Sequence, residues 1–392
     1  MKKSIYLNKF KLWLLFLLVP FFEPQVFSFI PTLNMFFTVW QIVIFVCVFL
    51  FYLLRQKYSS YILAILLWRS YIFINTFAKI HTINSTSMKR TILIIGVSML
   101  IEIGLNNNVL DTLETIFFIL IVISILNLFT CRPGGLMMYE GTEYFLLGLR
   151  TRFTDSAIPL VLLAFLISWI KHKKVITRLT IFTIVIVLSQ LVLEWVATGI
   201  FVIILLTVLI ILFESKVISF PVWGSLFGVI ILNISIVFFQ IQAYFSFIIE
   251  GLLKKSLTFN GRTLIWNSAI QTISQHPILG FGEVDSGGFV SVYWSDRLAP
   301  AHNMILQVIH DGGIVSSFLL LFCFMLVAKK LAKYRGNMIV NIFAIGILVT
   351  GLAILTEVSS YYVHFYILPI LGANIATIIH YDRQYNVDKK KI

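Results

Sequence analysis

Long apolar runs alternate with short polar stretches along almost the whole chain. A run of about twenty apolar residues is long enough to cross the hydrocarbon core of a bilayer as a helix. Twelve runs fit this description, at roughly 12–30, 33–54, 60–78, 90–105, 111–131, 156–170, 179–194, 196–213, 217–240, 303–328, 338–357 and 360–380. The pattern predicts an all-α polytopic membrane protein, a single integral membrane domain over 1–392 with about twelve transmembrane helices.

Two polar segments are too long to be simple turns between spans. One is the segment 132–155, and the other is a large loop at about 241–302. Within this loop, Trp266, Ile270 and Ile273 recur at helical spacing, which predicts a helix there. Alternation of the spans places both segments outside the cytoplasm. The two halves show no internal repeat, which disfavours an inverted-repeat transporter.

Composition supports the membrane assignment and gives the chain an orientation. Of all residues 59% are hydrophobic and 12% are charged, against about 25% charged in soluble domains. The net charge of +13 comes mostly from short Lys and Arg clusters between apolar runs, as the positive-inside rule expects. We therefore expect a bacterial cytoplasmic membrane protein with both termini in the cytoplasm, and no nucleic-acid partner. Lys79, Lys89 and Arg90 fall on the outer side, so either this loop breaks the rule or the span count between 60 and 131 is wrong.

Cysteine usage offers neither a disulfide framework nor a metal site. Cys47, Cys131 and Cys323 lie within or at the end of apolar runs, and none has a neighbour at metal-ligand spacing. They are expected to be small core residues. No metal and no cofactor is expected from the sequence.

Two residues of the large loop are the strongest candidates for chemistry. Arg262 opens the predicted helix, and a guanidinium there can bind phosphate through two parallel hydrogen bonds. His302 stands where the chain re-enters the membrane, and an imidazole can act as general base toward a sugar hydroxyl. Each has a plainer alternative: an arginine reaching to lipid headgroups, and an interfacial histidine.

Weaker candidates surround this pair. Pro277 should stop a helix, while Gly280 and Gly282 permit a tight turn with close backbone approach. The remaining candidates are polar or aromatic residues that could contact a sugar, with a solvated loop face or an interfacial aromatic belt as the alternative: Asn303, Glu283, Asp285, Tyr293 and Trp294.

Further charges lie outside the large loop. Arg150 and Arg152 precede a predicted span on its outer side, where phosphate binding is one explanation and a miscounted helix is the other. Arg69 and Glu102 fall within predicted spans. Intramembrane charges are functional candidates by default, although these two could simply pair with each other.

The order of these motifs resembles that of the O-antigen ligase/polymerase superfamily. The resemblance is carried by Gly261-Arg262, Trp266, Pro277, Gly280 and Gly282, followed by Ala301-His302-Asn303, Gln307 and Gly313. In addition, "PGGLMMYEGTEYFLLGLRTRFTD" resembles the external segment of Wzy-type capsular polysaccharide polymerases. The specific part of the resemblance is confined to about 132–155 and 260–313.

This resemblance implies a metal-independent membrane glycosyltransferase of the GT-C type, acting on undecaprenyl-diphosphate-linked oligosaccharides. By the same resemblance, Arg262 would hold the donor diphosphate and His302 would activate the acceptor hydroxyl. The ligase branch often has an arginine at the outer end of a middle span, whereas the comparable stretch 188–199 has Glu194 and no arginine. The second positive charge would then come from Arg150 or Arg152.

The leading hypothesis is a polymerase that joins lipid-linked repeat units into surface polysaccharide, inverts the anomeric centre and releases undecaprenyl diphosphate. A flippase and a chain-length regulator are conceivable partners. One alternative is a ligase that transfers the lipid-linked glycan to another acceptor. A different class, a flippase or transporter of the same lipid-linked oligosaccharide, is disfavoured by the long external loop.

Overall fold

The computed structural model describes residues 9–55, 58–139, 141–214, 221–241, 244, 261–283, 290–292 and 295–391. Within these residues the chain is almost entirely helical, with two short hairpins. The helices are α1 Lys9–Leu18, α2 Pro31–Arg55, α3 Ser60–Ile80, α4 Ser85–Asn107, α5 Val109–Leu128, α6 Phe153–His172, α7 Arg178–Leu193, α8 Ala197–Glu214, α9 Val222–Val237, α10 Arg262–Ile273, α11 Met304–Ala332, α12 Met338–Ala353, α13 Val363–Ala373 and α14 Ile375–Lys391. The strands are β1 Met137–Tyr139, β2 Thr142–Tyr144, β3 Val290–Val292 and β4 Ser295–Ala299, paired β1 with β2 and β3 with β4.

Six of the described helices are long and apolar enough to cross a membrane, and a bent pair raises this number to seven. The bent pair is α13 and α14, and the chain bends by 66° between these two helices. Three further apolar helices, α7, α9 and α12, are shorter than a usual span. The architecture agrees with an all-α multi-pass membrane protein, but the expected twelve spans are not confirmed.

Two predicted spans are interrupted in ways that the apolar pattern does not reveal. The first run, 12–30, is α1 followed by two 3₁₀ turns, Val19–Phe22 and Gln25–Phe29. Pro20 and Pro24 explain the change, since proline removes a helical hydrogen bond and restricts the residue before it. The run 338–357 is helical only as far as Ala353, and the segment 354–362 leaves the helix before α13 begins.

Helix α6 lies at the centre of the bundle and connects its two ends. Nearly every side chain of this helix is buried, and it packs against α5, α7, α8, α12 and α13. It begins just after Arg152 and ends at His172. Its 20 residues, at a rise of about 1.5 Å per residue, separate the two ends of the bundle by about 30 Å. This length matches the hydrocarbon thickness of a bilayer.

The end of the bundle that carries Arg152 is called the histidine end, because His302 lies there. The opposite end, the lysine end, brings together basic clusters that are far apart in sequence. Lys11 and Lys171 both pair with Glu114, and Lys173 pairs with Asp382 of α14. The basic clusters near residues 11 and 171–174 therefore share one end, as the charge pattern predicts.

Candidate functional site

Four short segments from distant parts of the chain meet at the histidine end. They are the 3₁₀ turn Arg150–Arg152 before α6, the first residue of α10, the turn 300–303 before α11, and the segment 354–362 between α12 and α13. None of the four is a regular long element, and each is held by the apolar helices next to it. Functional side chains are commonly presented in this way by loops on a rigid scaffold.

Arg262 is positioned by the helix that the sequence predicted. Gly261 precedes α10 with a φ of 84°, a left-handed conformation that glycine adopts without strain. One turn along the helix, Trp266 is buried in a small cluster with Val237 of α9 and Leu306 of α11. Because this cluster anchors α10, the Arg262 guanidinium is held at the site, where its Nη2 donates to Glu357 Oε1 at 3.0 Å.

Arg152 approaches the same place from the start of α6. Its Nη1 donates to the carbonyl oxygen of Val358 at 3.0 Å and lies 3.4 Å from Asp155 Oδ2. Its guanidinium carbon also stands 4.3 Å from the ring centre of Tyr362, within the range of a cation–π contact. The guanidinium is therefore fixed against the segment 354–362 and is only 13% exposed.

Arg150 is placed differently, although it is only two residues away. It is exposed, and the carboxylate whose ionisation it influences is that of Glu194. The 3₁₀ turn therefore directs Arg152, and not Arg150, into the cluster at the histidine end. Of the two arginines that the sequence offered for a second positive charge, the geometry selects Arg152.

His302 lies under the influence of both arginines. Burial, together with the positive charges of Arg262 and then Arg152, lowers the pKa of the imidazole to about 4. The side chain is therefore neutral near pH 7, the state in which an imidazole can accept a proton. His302 also has a φ of 47°, which a residue with a side chain rarely adopts and which is enriched at functional positions.

The backbone on both sides of His302 is tied down. The N–H of Ala301 donates to Gln307 Oε1 at 3.0 Å, and the N–H of Met304 donates to the carbonyl oxygen of Ile354 at 3.0 Å. These bonds hold the turn 300–303 between the first turn of α11 and the segment 354–362. The unusual φ of His302 is therefore supported by fixed neighbours on each side.

Asn303 is a structural residue in this arrangement, not a surface group that faces a sugar. Its Oδ1 accepts from the N–H of Leu306 and caps α11, while its Nδ2 donates to Asn233 Oδ1 and to the carbonyl oxygen of Leu355. The side chain is completely buried. Both amide hydrogens are used, so the expectation of sugar binding at Asn303 finds no support in the geometry.

Glu357 is the residue of this cluster that the sequence did not single out. It is buried between Arg262 and Arg152, and burial raises its pKa while the two guanidinium charges act in the opposite direction. The neighbouring Ser359 donates to Asp155 Oδ1 at 2.6 Å. The polar letters "TEVSSYY" at 356–362, following an apolar run, are the signal that could have marked this segment.

A second charged cluster lies beside the first and is also linked to the segment 354–362. Arg69 binds Glu283 through two bonds of 2.8 and 2.9 Å, and both side chains are almost fully buried. Arg90 lies 4.0 Å from Glu283 and stacks over the ring of Tyr361 at 3.8 Å. Tyr361 in turn donates a hydrogen bond to Asp311 of α11. Against the effect of burial, the charges of Arg69 and Arg90 lower the pKa of Glu283.

These contacts correct two sequence interpretations. Glu283 is 2% exposed and paired with a buried arginine, so it is neither part of a solvated loop face nor open to a sugar. Arg69 and Glu102 do not pair with each other. The carboxylate of Glu102 instead accepts a hydrogen bond from Tyr52 at 2.7 Å.

The glycines of the loop serve its docking onto the bundle. Gly280 and Gly282 have φ values of 69° and 91°, and the N–H of Gly282 donates to the carbonyl oxygen of Asp311 at 2.8 Å. A Cβ atom at Gly280 would lie 2.4 Å from the carbonyl oxygen of His310, so a larger residue would push the loop away. Helix α11 is broken at Gly312 and Gly313, where the loop meets it. Helix α10 ends at Ile273, four residues before Pro277.

Two of the basic residues that the positive-inside rule does not explain, Lys89 and Arg90, have carboxylates nearby in the structure. Lys89 pairs with Glu23 at 2.9 Å and donates to Asn34, while Arg90 lies between Glu283 and Tyr361. Helices α3 and α4 form the hairpin that the apolar pattern predicts. The charges of Lys89 and Arg90 are therefore partly compensated by local contacts.

Three of the expected site residues, Asp285, Tyr293 and Trp294, lie outside the described residues. Among the residues that the structure describes, no group of three or more His, Cys, Asp or Glu side chains has the arrangement of a metal site. The cluster at the histidine end consists of the side chains of Arg152, Arg262, His302, Glu357 and Asp155.

Comparison with known sequences points to one family. Residues 181–321, which are 141 of the 392 residues, match the sequence model of the Wzy_C family, described as O-antigen ligase. The chain is similar to this family over that segment, which supports the ligase/polymerase superfamily without distinguishing its branches. None of the curated proteins compared with the chain matches it.

The matched segment contains only half of the cluster. Arg262 and His302 lie inside it, whereas Arg152 and Glu357 lie outside it, in parts of the chain that the family model does not reach. The fold brings the two halves together. The inclusion of Arg152 and Glu357 in the candidate site therefore rests on geometry alone.

Proposed function

We propose that the chain is a membrane glycosyltransferase that polymerises lipid-diphosphate-linked oligosaccharide repeat units, with its reaction site at the histidine end. The observation that carries the proposal is the convergence of Arg152, Arg262, His302 and Glu357 at one end of an apolar helical bundle. The similarity of residues 181–321 to the O-antigen ligase family supports the same class of reaction.

The two arginines suit a leaving group that is a lipid diphosphate. Rupture of the bond between the anomeric carbon and the phosphate oxygen leaves negative charge on the diphosphate, which guanidinium groups stabilise through charge-assisted hydrogen bonds. Arg262 and Arg152 reach the site from different elements and so can contact opposite sides of the diphosphate. Their carboxylate partners Glu357 and Asp155 hold both side chains in place.

His302 supplies the base that the acceptor requires. A sugar hydroxyl is a weak nucleophile, and a neutral imidazole can take its proton as the new carbon–oxygen bond forms. The hydroxyl oxygen attacks the anomeric carbon on the face opposite the diphosphate, which inverts that centre. The proton passes to the imidazole, and the electron pair of the broken bond leaves with the undecaprenyl diphosphate.

The basicity of His302 should depend on what the arginines hold. In the described structure, burial and the two guanidinium charges keep its pKa at about 4. A bound diphosphate brings negative charge to both arginines and thereby raises the proton affinity of the imidazole. The base would then be strongest when the donor is in place.

The test uses purified protein in lipid nanodiscs with a synthetic undecaprenyl-diphosphate repeat unit in the presence of EDTA. We expect a ladder of polymers on a gel from the wild type and only much shorter products from Arg262→Gln at the same enzyme concentration and reaction time. A ligase would instead attach one glycan to an added acceptor and form no ladder from the repeat unit alone. The family description names a ligase, so both assays are run with the same preparation.

A third outcome belongs to a different class of protein. If the wild type makes no glycosidic bond but moves the lipid-linked unit from one vesicle leaflet to the other, the chain is a transporter. Transport without bond formation would overturn the proposed function.

A further inference from the structure

Buried polar side chains follow one face of the first half of α11. Asn303 caps this helix, and Gln307 and Asp311 follow at intervals of four residues, so all three lie on one side of it. None of them is more than 3% exposed. Because a buried polar group costs free energy unless it is hydrogen-bonded, the partners of Gln307 and Asp311 indicate what these side chains hold in place.

Gln307 is fixed in one orientation by two partners of opposite kind. Its Oε1 accepts a hydrogen bond from the backbone N–H of Ala301 at 3.0 Å, and its Nε2 donates to Asp311 Oδ1 at 3.0 Å. A backbone N–H can only donate, so a flip of the amide would break both bonds. Ala301 immediately precedes His302. Gln307 therefore fixes the backbone from which the imidazole projects.

The carboxyl group of Asp311 joins this amide to the segment 354–362. Its Oδ1 accepts from Gln307 and lies 2.9 Å from His310 Nδ1, while its Oδ2 accepts from the hydroxyl group of Tyr361. Tyr361 belongs to the segment that also supplies one carboxylate of the candidate site. Asp311 therefore connects the two pieces of irregular chain that meet at the histidine end.

The backbone of Asp311 holds a further element, the loop that docks onto α11. Its carbonyl oxygen accepts from the N–H of Gly282 at 2.8 Å. The next residue of the loop, Glu283, forms the buried ion pair with Arg69. The second charged cluster is therefore connected through this one residue of α11 to the turn 300–303.

We propose that Gln307 and Asp311 are positioning residues for His302, which is the base in the proposed function on which this inference rests. Both side chains are almost fully buried, so they act through the backbone of the turn 300–303 and not by contact with the substrate. A base must lie within hydrogen-bonding reach of the hydroxyl group that it deprotonates. A displacement of about 1 Å in a reaction site can lower the rate about a hundredfold.

The first test exchanges the two polar groups that meet between Gln307 and Asp311. Gln307→Glu replaces the donor by an oxygen, so two acceptors face each other. When Asp311→Asn is added in the same chain, the new amide nitrogen donates to the new carboxylate, and the amide oxygen still accepts from Tyr361.

The exchange predicts a loss of rate and its recovery. We expect Gln307→Glu to lower kcat about ten- to hundredfold in single-turnover release of undecaprenyl diphosphate, with binding of a lipid diphosphate changed less than about threefold. The double variant should be at least about fivefold faster than Gln307→Glu, because the two changes are coupled through one hydrogen bond.

A matched control removes the same kind of buried amide elsewhere in the bundle. Gln190 of α7 is fully buried, and its amide accepts from Asn127 at 2.9 Å and donates to Ser124 at 3.2 Å. Gln190→Leu and Gln307→Leu each remove one donor and one acceptor, so both should lower the unfolding temperature. Only Gln307→Leu should lower kcat, by about ten- to hundredfold, because this amide contacts the backbone beside His302.

A second readout does not depend on glycosyl transfer. Diethyl pyrocarbonate modifies accessible histidines, and mass spectrometry gives the rate at each one in the protein without substrate. We expect Gln307→Leu to raise the rate at His302 at least about threefold, since the imidazole becomes more accessible when the turn 300–303 loosens. Gln190→Leu should leave this rate unchanged. Gln307→Asn, which keeps the amide but shortens its reach, replaces Gln307→Leu if the latter does not fold.

The outcomes separate this inference from the proposed function. If the wild type transfers glycan and folded Gln307→Leu is as fast, the positioning role is wrong while the proposed function stands. The same conclusion follows if the double variant is no faster than Gln307→Glu, or if binding of the lipid diphosphate falls as much as kcat. If the wild type transfers no glycan, the proposed function fails and the inference fails with it, whatever the rate of modification at His302.

Discussion

Both ends of the bundle contain ion pairs, but the two ends arrange them in different ways. At the lysine end, Lys11 is 37% exposed and pairs with Glu114, which is 21% exposed. At the histidine end, Arg262 is 21% exposed and pairs with Glu357, which is only 7% exposed. Lysines are flexible point charges that remain hydrated, whereas a guanidinium presents a rigid set of donors. The ion pairs of the lysine end join helices, and the contrast agrees with the proposal that the histidine end binds an anion.

The two ends also differ in how their side chains are presented. At the lysine end, Lys11 and Lys171 project from helices α1 and α6. At the histidine end, Arg152, His302 and Glu357 stand on turns between helices, and His302 has a left-handed backbone. Strained or irregular backbone held by its surroundings is more common at functional sites than at structural ion pairs. Loss of a side chain should therefore affect activity at one end and only stability at the other.

The largest expected effect is that of His302→Ala on the rate of glycosyl transfer. Removal of a general base typically lowers the rate by about 10² to 10⁴. We expect a loss in that range in single-turnover release of undecaprenyl diphosphate, with donor affinity changed less than about threefold. His172→Ala, a matched change at the lysine end, should leave the rate unchanged. A His302→Ala variant that is folded and as fast as the wild type would remove the base from the account.

The next effect distinguishes the two neighbouring arginines before α6. A hydrogen bond to a charged group contributes about 1.5–3 kcal/mol, so Arg152→Gln should weaken binding of the donor diphosphate by roughly ten- to hundredfold. Arg150→Gln, two residues away and exposed, should change it less than about threefold. Equilibrium binding of a lipid diphosphate to both variants provides the measurement. Equal losses would show that the 3₁₀ turn does not select between them.

A smaller effect concerns the pH dependence of the reaction. His302 must be neutral to act as base, and its pKa is about 4 in the absence of substrate. The value of kcat/KM should therefore be flat above about pH 5 and fall as the pH approaches 4. Arg262→Gln removes a positive charge, which favours the imidazolium, so the acid limb should move to higher pH. A limb that stays in place, or moves lower, would show that Arg262 does not act on His302.

The smallest effect is expected at the lysine end. Partly exposed ion pairs contribute about 0–1 kcal/mol to stability, so Lys171→Ala should lower the thermal unfolding temperature by only a few degrees. Glycosyl transfer should remain within about twofold of the wild type. Loss of activity without loss of stability in Lys171→Ala would contradict the division of roles between the two ends.

The sequence predicts the helical class and part of the site for clear physical reasons. The spacing of Trp266, Ile270 and Ile273 predicts α10, which places Arg262 at the start of a helix. His302 and Asn303 stand where an apolar run begins, and α11 does begin at Met304. These features depend on local pattern, so they can be recognised without knowledge of the tertiary structure.

The rest of the site depends on contacts that local pattern does not encode. Glu357 sits at the end of an apolar run that reads as one continuous helix, although α12 ends at Ala353. The partner of Arg69 is Glu283, 214 residues away in sequence, whereas Glu102 was the nearer choice. Arg150 and Arg152 are equivalent in sequence, and only the direction of the 3₁₀ turn separates them. Local sequence pattern therefore does not reveal which distant residues pair or where each helix ends.

The central claim is that the diphosphate of the lipid substrate binds at the histidine end. The most direct test is an electron cryomicroscopy structure of the wild-type protein in nanodiscs with undecaprenyl diphosphate. The account predicts diphosphate density within hydrogen-bonding distance of Arg152 and Arg262, beside His302. Diphosphate density at Lys11 and Lys171, with the histidine end unchanged, would contradict it.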